Sequence, residues 1–195
     1  IVRHVIEYSV LAAHRHVFGV LAWYCVLAAL GLGPTGAVFY RMSEFVSRYW
    51  KYKNNAPSQI ASPALQGAAA GAWMVVDWLP ARLTALSFAV VGSFEDAIDG
   101  WRNYAQRFPG DNDGVILAAT AGAVNVRLGG EALRASFATS PNPGFEATAD
   151  QEDSVSTPGR EPEVAHLRSI VGLVWRSVVM WMVLLALLTL ARLLG

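Results

Sequence analysis

Apolar residues recur with helical spacing along most of this chain, and several runs are too apolar for an ordinary soluble helix. In residues 1–16, Val2, Val5, Ile6, Val10 and Ala13 share one helical face, and His4, Glu7, Leu11 and His14 share another. That pattern predicts an amphipathic helix with a polar, solvated side. Residues 17–40 then contain no charged side chain. About 20 apolar residues suffice to cross the hydrocarbon core, so this run is expected to be a membrane span. Gly31, Gly33, Pro34 and Gly36 interrupt its second half. They predict close helix packing, or a kink whose freed carbonyls find other partners. Trp23 and Tyr24 fall mid-span, where they are expected to pack on other helices.

Residues 64–94 are apolar again but interrupted. Gly67 and Gly71 form a small-xxx-small pair suited to tight helix contact. The sequence Asp77-Trp78-Leu79-Pro80-Ala81-Arg82 comes next. Proline removes a backbone donor, which predicts a broken or re-entrant helix pair here. Charges at membrane depth pair, face a cavity or mark function. Asp77 and Arg82 therefore either line a polar cleft or form a salt bridge that fixes the bend. Ser93 with Asp96 is expected to cap a new helix, with Phe94, Ala97, Ile98, Trp101, Ala105 and Phe108 as its apolar stripe. This amphipathic helix is expected on the membrane surface or against the bundle, ending at Pro109-Gly110.

Asp111-Asn112-Asp113-Gly114 reads as a turn, since no downstream glutamate completes a calcium loop. Residues 115–128 predict a short buried helix or hairpin. Residues 138–160 hold Pro141, Pro143, Pro158 and the acids Asp150, Glu152 and Asp153, and predict a flexible extramembrane loop. Pro162, between Glu161 and Glu163, suits a helix start. Val164, Leu167, Val171, Val174 and Val178 share one face of that helix. Residues 177–191 carry no charge, and Arg176 and Arg192 flank a second strong span.

Composition supports this reading. The chain is 54% hydrophobic and only 15% charged, against about a quarter charged in soluble domains. Mean hydropathy is +0.35. The formal net charge of zero argues against nucleic acid as a partner. The single cysteine, Cys25, permits neither an internal disulfide nor a thiolate metal cluster. His4, Glu7, His14 and His16 lack a tight histidine pair, so no metal site is expected. Arg41, Arg48, Lys51 and Lys53 predict that the segment after residue 40 is cytoplasmic. The chain opens at Ile1 rather than Met, and upstream segments are expected to be missing. Together these features predict an all-α, polytopic helical membrane protein, one domain over residues 1–195, with a broken or re-entrant central helix pair and an amphipathic surface helix. The lipid bilayer is the expected partner, and small-residue helix faces are expected to serve homo- or hetero-oligomers. Phosphate-loop, nucleophile-elbow and zinc-protease motifs are all lacking, so residue chemistry alone names no reaction and no cofactor.

Three ordered blocks carry a resemblance. Gly33-Pro34-Thr35-Gly36-Ala37-Val38-Phe39-Tyr40-Arg41, Asp77-Trp78-Leu79-Pro80-Ala81-Arg82-Leu83-Thr84, and Asn112-Asp113-Gly114 through Val126-Arg127-Leu128-Gly129-Gly130 resemble motifs of the CobD/CbiB family. Its members are membrane proteins of cobalamin biosynthesis, described as adenosylcobinamide-phosphate synthases. The resemblance implies a bacterial inner-membrane, multi-pass protein with a corrinoid substrate and, if active, an ATP-dependent amide-forming reaction. It implies that Asp77, Arg82, Asn112 and Arg127 contribute to substrate binding, with the two arginines on phosphate or carboxylate-derived groups. Gly33, Pro34, Gly36, Arg41 and Pro80 would be scaffold. Catalytic residues are left unassigned.

The departures bear on activity. Where the synthases carry Ala-Glu-Asn and a following Asp, this chain has Val10, Leu11, Ala12 and Arg15. The Asn and Asp after the Tyr-Arg pair fall near Glu44 and Ser47. The paired acids before the Pro-Ala-Arg block fall near Trp73 and Met74, and the preceding Asn is Asp77. An aligned Leu or Trp neither ligates a cation nor transfers a proton. Asp77-Trp78 resembles the AmpE branch of the same superfamily, inner-membrane proteins linked to beta-lactamase regulation. A non-catalytic signalling or accessory role is thus the alternative implied.

Overall fold

The computed structural model describes residues 2–54, 63–108, 111–129 and 156–194. The regular elements among them are helical: α1 (Val2–Ala13), a π-helical turn (His14–Phe18), α2 (Gly19–Ala29), α3 (Thr35–Asn54), α4 (Pro63–Val91), α5 (Phe94–Tyr104), a 3-10 turn (Ala105–Arg107), α6 (Asp111–Val124) and α7 (Val164–Leu194). Three helical runs, Val2–Ala29, Gly67–Val91 and Val164–Ala191, are long and apolar enough to cross a membrane. The chain is a helical membrane protein. It forms two compact bodies, His14–Leu83 and Ile1–Ala13 with Thr84–Gly195.

In the first body, the expected single span over residues 17–40 is a helical hairpin. Gly31 adopts φ +84° and Gly33 φ +60°, a left-handed backbone that glycine adopts without steric cost. The Gly31 N–H donates to the Ala28 carbonyl (3.1 Å) and the Leu32 N–H to the Leu27 carbonyl (2.9 Å). This pair of bonds closes a helix end around a left-handed glycine. The Thr35 hydroxyl donates to the Leu32 carbonyl at 2.8 Å, and α3 returns against α2. At the crossing, a β-carbon on Gly36 would overlap the Trp23 carbonyl, and one on Gly19 would overlap the Tyr40 ring. Close packing expected of the glycines is realised at Gly36. It is not realised at Gly67 and Gly71, whose added β-carbons would meet nothing within 4 Å.

The break expected at Pro80 is also absent, because α4 runs unbroken through it. A proline leaves the carbonyl four residues earlier without its helical donor. That carbonyl belongs to Val76, and the Trp23 indole Nε1–H donates to it at 3.0 Å. A neighbouring helix thus supplies the bond that proline cannot, which is how membrane helices tolerate proline.

In the second body, α5 and α6 pack closely through small residues. An added β-carbon on Gly100 would press on the Ala118 carbonyl, and one on Gly122 on the Asp96 carbonyl. Ala97, Ala105 and Phe108 are buried while Phe94 is exposed, so much of the apolar stripe of α5 is spent on α6. Ser93 occupies the N-cap in extended conformation, and its hydroxyl donates to the Asp96 carboxylate at 2.6 Å rather than capping a backbone N–H. After α6, Asn125 takes φ +55°. Val126 and Gly129 then form isolated bridges to Arg160 and Ser156. Most of the expected loop 138–160 lies outside the described residues; its end, residues 156–160, is held by these bridges. The Pro109-Gly110 stop also lies outside them.

α7 buries Ile170, Leu173, Ser177 and Trp181, while Val164 and Val171 are exposed. The face expected from Val164 and Val171 is therefore not the packed one. A helix that is apolar all round carries no periodicity to identify its contact side. The Trp181 indole donates to the Ser87 hydroxyl of α4 at 2.9 Å and fixes that side.

Candidate functional site

The first body holds a buried polar layer inside apolar helices. His14, Tyr40 and Asp77 are each at most 1% exposed. The Tyr40 hydroxyl donates to Asp77 Oδ1 at 2.8 Å, and His14 Nε2 lies 3.0 Å from the same oxygen. Tyr40 Oη and His14 Nε2 are themselves 3.5 Å apart. The π-helical turn carries His14, α3 carries Tyr40 and α4 carries Asp77. An extra residue in a helical turn shifts the angular position of the side chains beyond it, and such turns cluster at functional sites. The Tyr40 ring is wedged between Gly19 and Trp73, whose ring centroid lies 5.3 Å away. Burying a carboxylate is costly unless it is paired and hydrogen-bonded, and here two ring systems supply that pairing.

The expected solvated face of the first helix is thus corrected at two positions. His14 lies in this layer, and Glu7 is buried in the second body. Periodicity locates a polar face without saying whether water or protein covers it.

Beside the layer in sequence, Glu44 is 4% exposed. It pairs with Arg41 and, at 2.9 Å, with Arg48. Arg41 Nη1 also meets His16 Nδ1 at 3.0 Å. The cationic cluster read from the sequence is partly an internal ion-pair group around one buried acid.

The Asp77 carboxylate is engaged by Tyr40 and His14 rather than fixing a bend with Arg82. Five positions turn Arg82 by about 140° around an unbroken helix, onto another face. Its guanidinium carbon lies 4.1 Å from the Trp78 ring centroid, and it donates to the Trp78 carbonyl at 3.0 Å. Planar guanidinium groups stack well on indoles.

Asn112 and Arg127 belong to the second body. Asn112 is buried in the first turn of α6, and Arg127 lies beyond the far end of that helix. Roughly 18 Å of helix separates Asn112 from that end. The Arg127 guanidinium lies 3.4 Å from Glu161, which also faces Arg3 at 3.7 Å. Arg3 donates to the Gly129 carbonyl at 3.0 Å, and the Glu7 carboxylate accepts the Gly129 N–H at 2.8 Å. Glu7 and Arg3 thereby clamp both backbone groups of Gly129. Thr157 does the same for Leu128: its hydroxyl accepts the Leu128 N–H at 2.8 Å, and its own N–H donates to the Leu128 carbonyl at 2.9 Å. The Val126–Gly129 stretch of the third sequence block is therefore pinned through its backbone. A cavity of about 370 Å³ adjoins it, with Asp96, Asp99, Asn103, Asn125 and Thr157 among its walls. Among the described residues, no three His, Cys, Asp or Glu side chains gather as a metal-holding group.

Asp77 stands out in the sequence as a charge in an apolar run, whereas nothing there marks His14 and Tyr40 as its partners. Tyr40 stood inside a recognised block, which was the available signal. The π-helical turn that aims His14 has no sequence signature.

Against known proteins, the family model described as CobD/Cbib protein matches residues 1–157. The Cobalamin biosynthesis protein CobD of Stutzerimonas stutzeri is 30% identical over 170 residues, 87% of this chain and 48% of that protein. The Cobalamin biosynthesis protein CobD of Chromobacterium violaceum is 37% identical over 116 residues, 60% of this chain and 34% of that protein. The chain spans at most about half the length of these curated relatives. No solved structure matches it.

Proposed function

The chain belongs to the CobD/CbiB family, and on that premise we propose that it is a multi-pass inner-membrane protein acting in cobalamin biosynthesis, at the adenosylcobinamide-phosphate stage. The observation that carries a functional rather than merely architectural reading is the His14–Asp77–Tyr40 layer. Ionisable groups buried among apolar helices are costly unless paired, and a membrane protein that keeps them reads by default as using them. In this proposal Asp77 is a positioning residue that sets the helices around a polar cleft. In the first body Arg82 offers a guanidinium group suited to phosphate or carboxylate-derived groups of a corrinoid; in the second body, considered by itself, Arg127 and Asn112 are candidates for the same chemistry. The bilayer and the corrinoid are the partners, and ATP would drive amide formation if the protein is a synthase.

The test is complementation. A strain lacking its adenosylcobinamide-phosphate synthase should recover cobalamin-dependent growth when it carries the full-length gene. Arg82→Ala should abolish rescue while membrane levels hold. Absence of rescue by the well-expressed unmutated protein sinks the synthase reading.

One observation favours a second reading. Asp77 Oδ1 is occupied by protein partners and Arg82 lies on Trp78, so the same block can act purely as a helix clamp. A non-catalytic, AmpE-like signalling or accessory protein would then fail complementation yet fold normally. Arg82→Ala would lower its stability without touching cobalamin-dependent growth.

A further inference from the structure

We infer that the charge-free run from Val17 to Tyr40 is a re-entrant membrane hairpin, entering and leaving the hydrocarbon on one face. By length and composition, the helical run Val2–Ala29 could cross a bilayer. The hairpin's own geometry argues otherwise. Its two legs meet in register: Gly36 against the Trp23 carbonyl, Tyr40 over Gly19, and Arg41 on His16 at 3.0 Å. Position 16 on the way in and position 41 on the way out therefore stand at the same level. That level is polar, since His16, Arg41, Glu44 and Arg48 form one linked group there.

Beyond that group every side chain on both legs is uncharged. Val17 to Ala29 rises about 20 Å, well short of the ~30 Å hydrocarbon thickness. A full crossing by this helix would drag the His16–Arg41–Glu44–Arg48 group into the hydrocarbon, where charged side chains are costly. A hairpin that stops partway leaves the group at the boundary.

The tip suits apolar surroundings. Leu30 and Leu32 are 70% and 56% exposed. Irregular backbone in lipid normally fails because its polar groups go unpaired. Here the N–H groups of Leu30, Gly31 and Leu32 bond to Val26, Ala28 and Leu27 carbonyls, and the Thr35 hydroxyl covers the Leu32 carbonyl. Pro34 has no N–H to satisfy. Val38 and Phe39 continue the exposed apolar surface down the returning leg. The occupant that fits a charge-free tip with exposed leucines and these turn hydrogen bonds is lipid hydrocarbon. The cations at Arg41, Arg48, Lys51 and Lys53 put the hairpin's open end on the cytoplasmic side.

The test uses the full chain in oriented vesicles with Cys25→Ala and one new cysteine at a time. Tyr8→Cys and Tyr49→Cys, at exposed positions flanking the hairpin, should react with a membrane-impermeant maleimide from the same, cytoplasmic face. Leu32→Cys should resist that reagent from both faces, at least tenfold more slowly than Tyr49→Cys. A spin label on it should collide several-fold more often with oxygen than with a nickel chelate. Labelling of Leu32→Cys from the opposite face would mean two full crossings and overturn the inference. Labelling from the cytoplasmic face would mean no insertion and overturn it equally. Shielding from maleimide, oxygen and nickel alike would mean that protein, not lipid, covers the tip, and would also refute it.

Discussion

Trp23→Phe removes the indole N–H that bonds the Val76 carbonyl while keeping an aromatic ring beside Phe39, whose centroid lies 5.3 Å from that of Trp23. Because Pro80 cannot donate, that carbonyl has no intrahelical replacement. An orphaned, part-buried carbonyl costs about 1–3 kcal/mol. Side-chain hydrogen bonds within membrane proteins average about 0.6 and reach about 1.7 kcal/mol. The upper part of that range applies here, giving about 1.5 kcal/mol. Pro80→Ala restores a donor four residues after Val76. In a Pro80→Ala background the same Trp23→Phe change should therefore cost only about 0.5 kcal/mol, a coupling of about 1 kcal/mol. Reversible unfolding of the four proteins in mixed micelles, monitored by far-ultraviolet circular dichroism, reads the cycle. Equal costs in both backgrounds, within about 0.3 kcal/mol, would refute the idea that Trp23 completes α4 at the proline.

Other changes test the remaining contacts. Asp77→Ala should cost about 3–5 kcal/mol in the same assay, because Tyr40 and His14 lose their shared buried acceptor; Tyr40→Phe on top of it should add little, and additive losses would contradict the shared-oxygen geometry. Gly36→Ala should cost about 1–3 kcal/mol through overlap with the Trp23 carbonyl. Gly71→Ala, with open space around it, should gain about 0.5–1 kcal/mol from helix propensity; thermal unfolding of the pair in detergent distinguishes them. Glu7→Ala should cost about 1–3 kcal/mol by stranding the Gly129 N–H, and hydrogen exchange at Gly129 should accelerate more than at the Leu128 amide, which Thr157 holds.

The apolar runs were readable because burial in lipid demands composition alone. The last helix was placed near its observed Val164–Leu194 limits, and the start of α5 at Ser93 came from its capping chemistry. The features that escaped the sequence depended on partners far along the chain. Whether Pro80 breaks α4 turns on an indole supplied by position 23. Whether residues 17–40 run straight or fold back turns on two left-handed glycines and on the fit of Gly36 to Trp23. Asp77 stood out as a charge in an apolar run, but its partners lie 63 and 37 positions away. His14 opens the π-helical turn, and periodicity alone gives no sign that its side chain faces α3 and α4 rather than water.

This fold requires that lipid solvate the chain, with its helices dissolved in the bilayer. Alkaline carbonate extraction of membranes containing the full-length protein examines that directly. The chain should remain wholly in the membrane pellet and leave it only with detergent. Recovery in the aqueous fraction as a folded monomer, with its helical content intact, would contradict it.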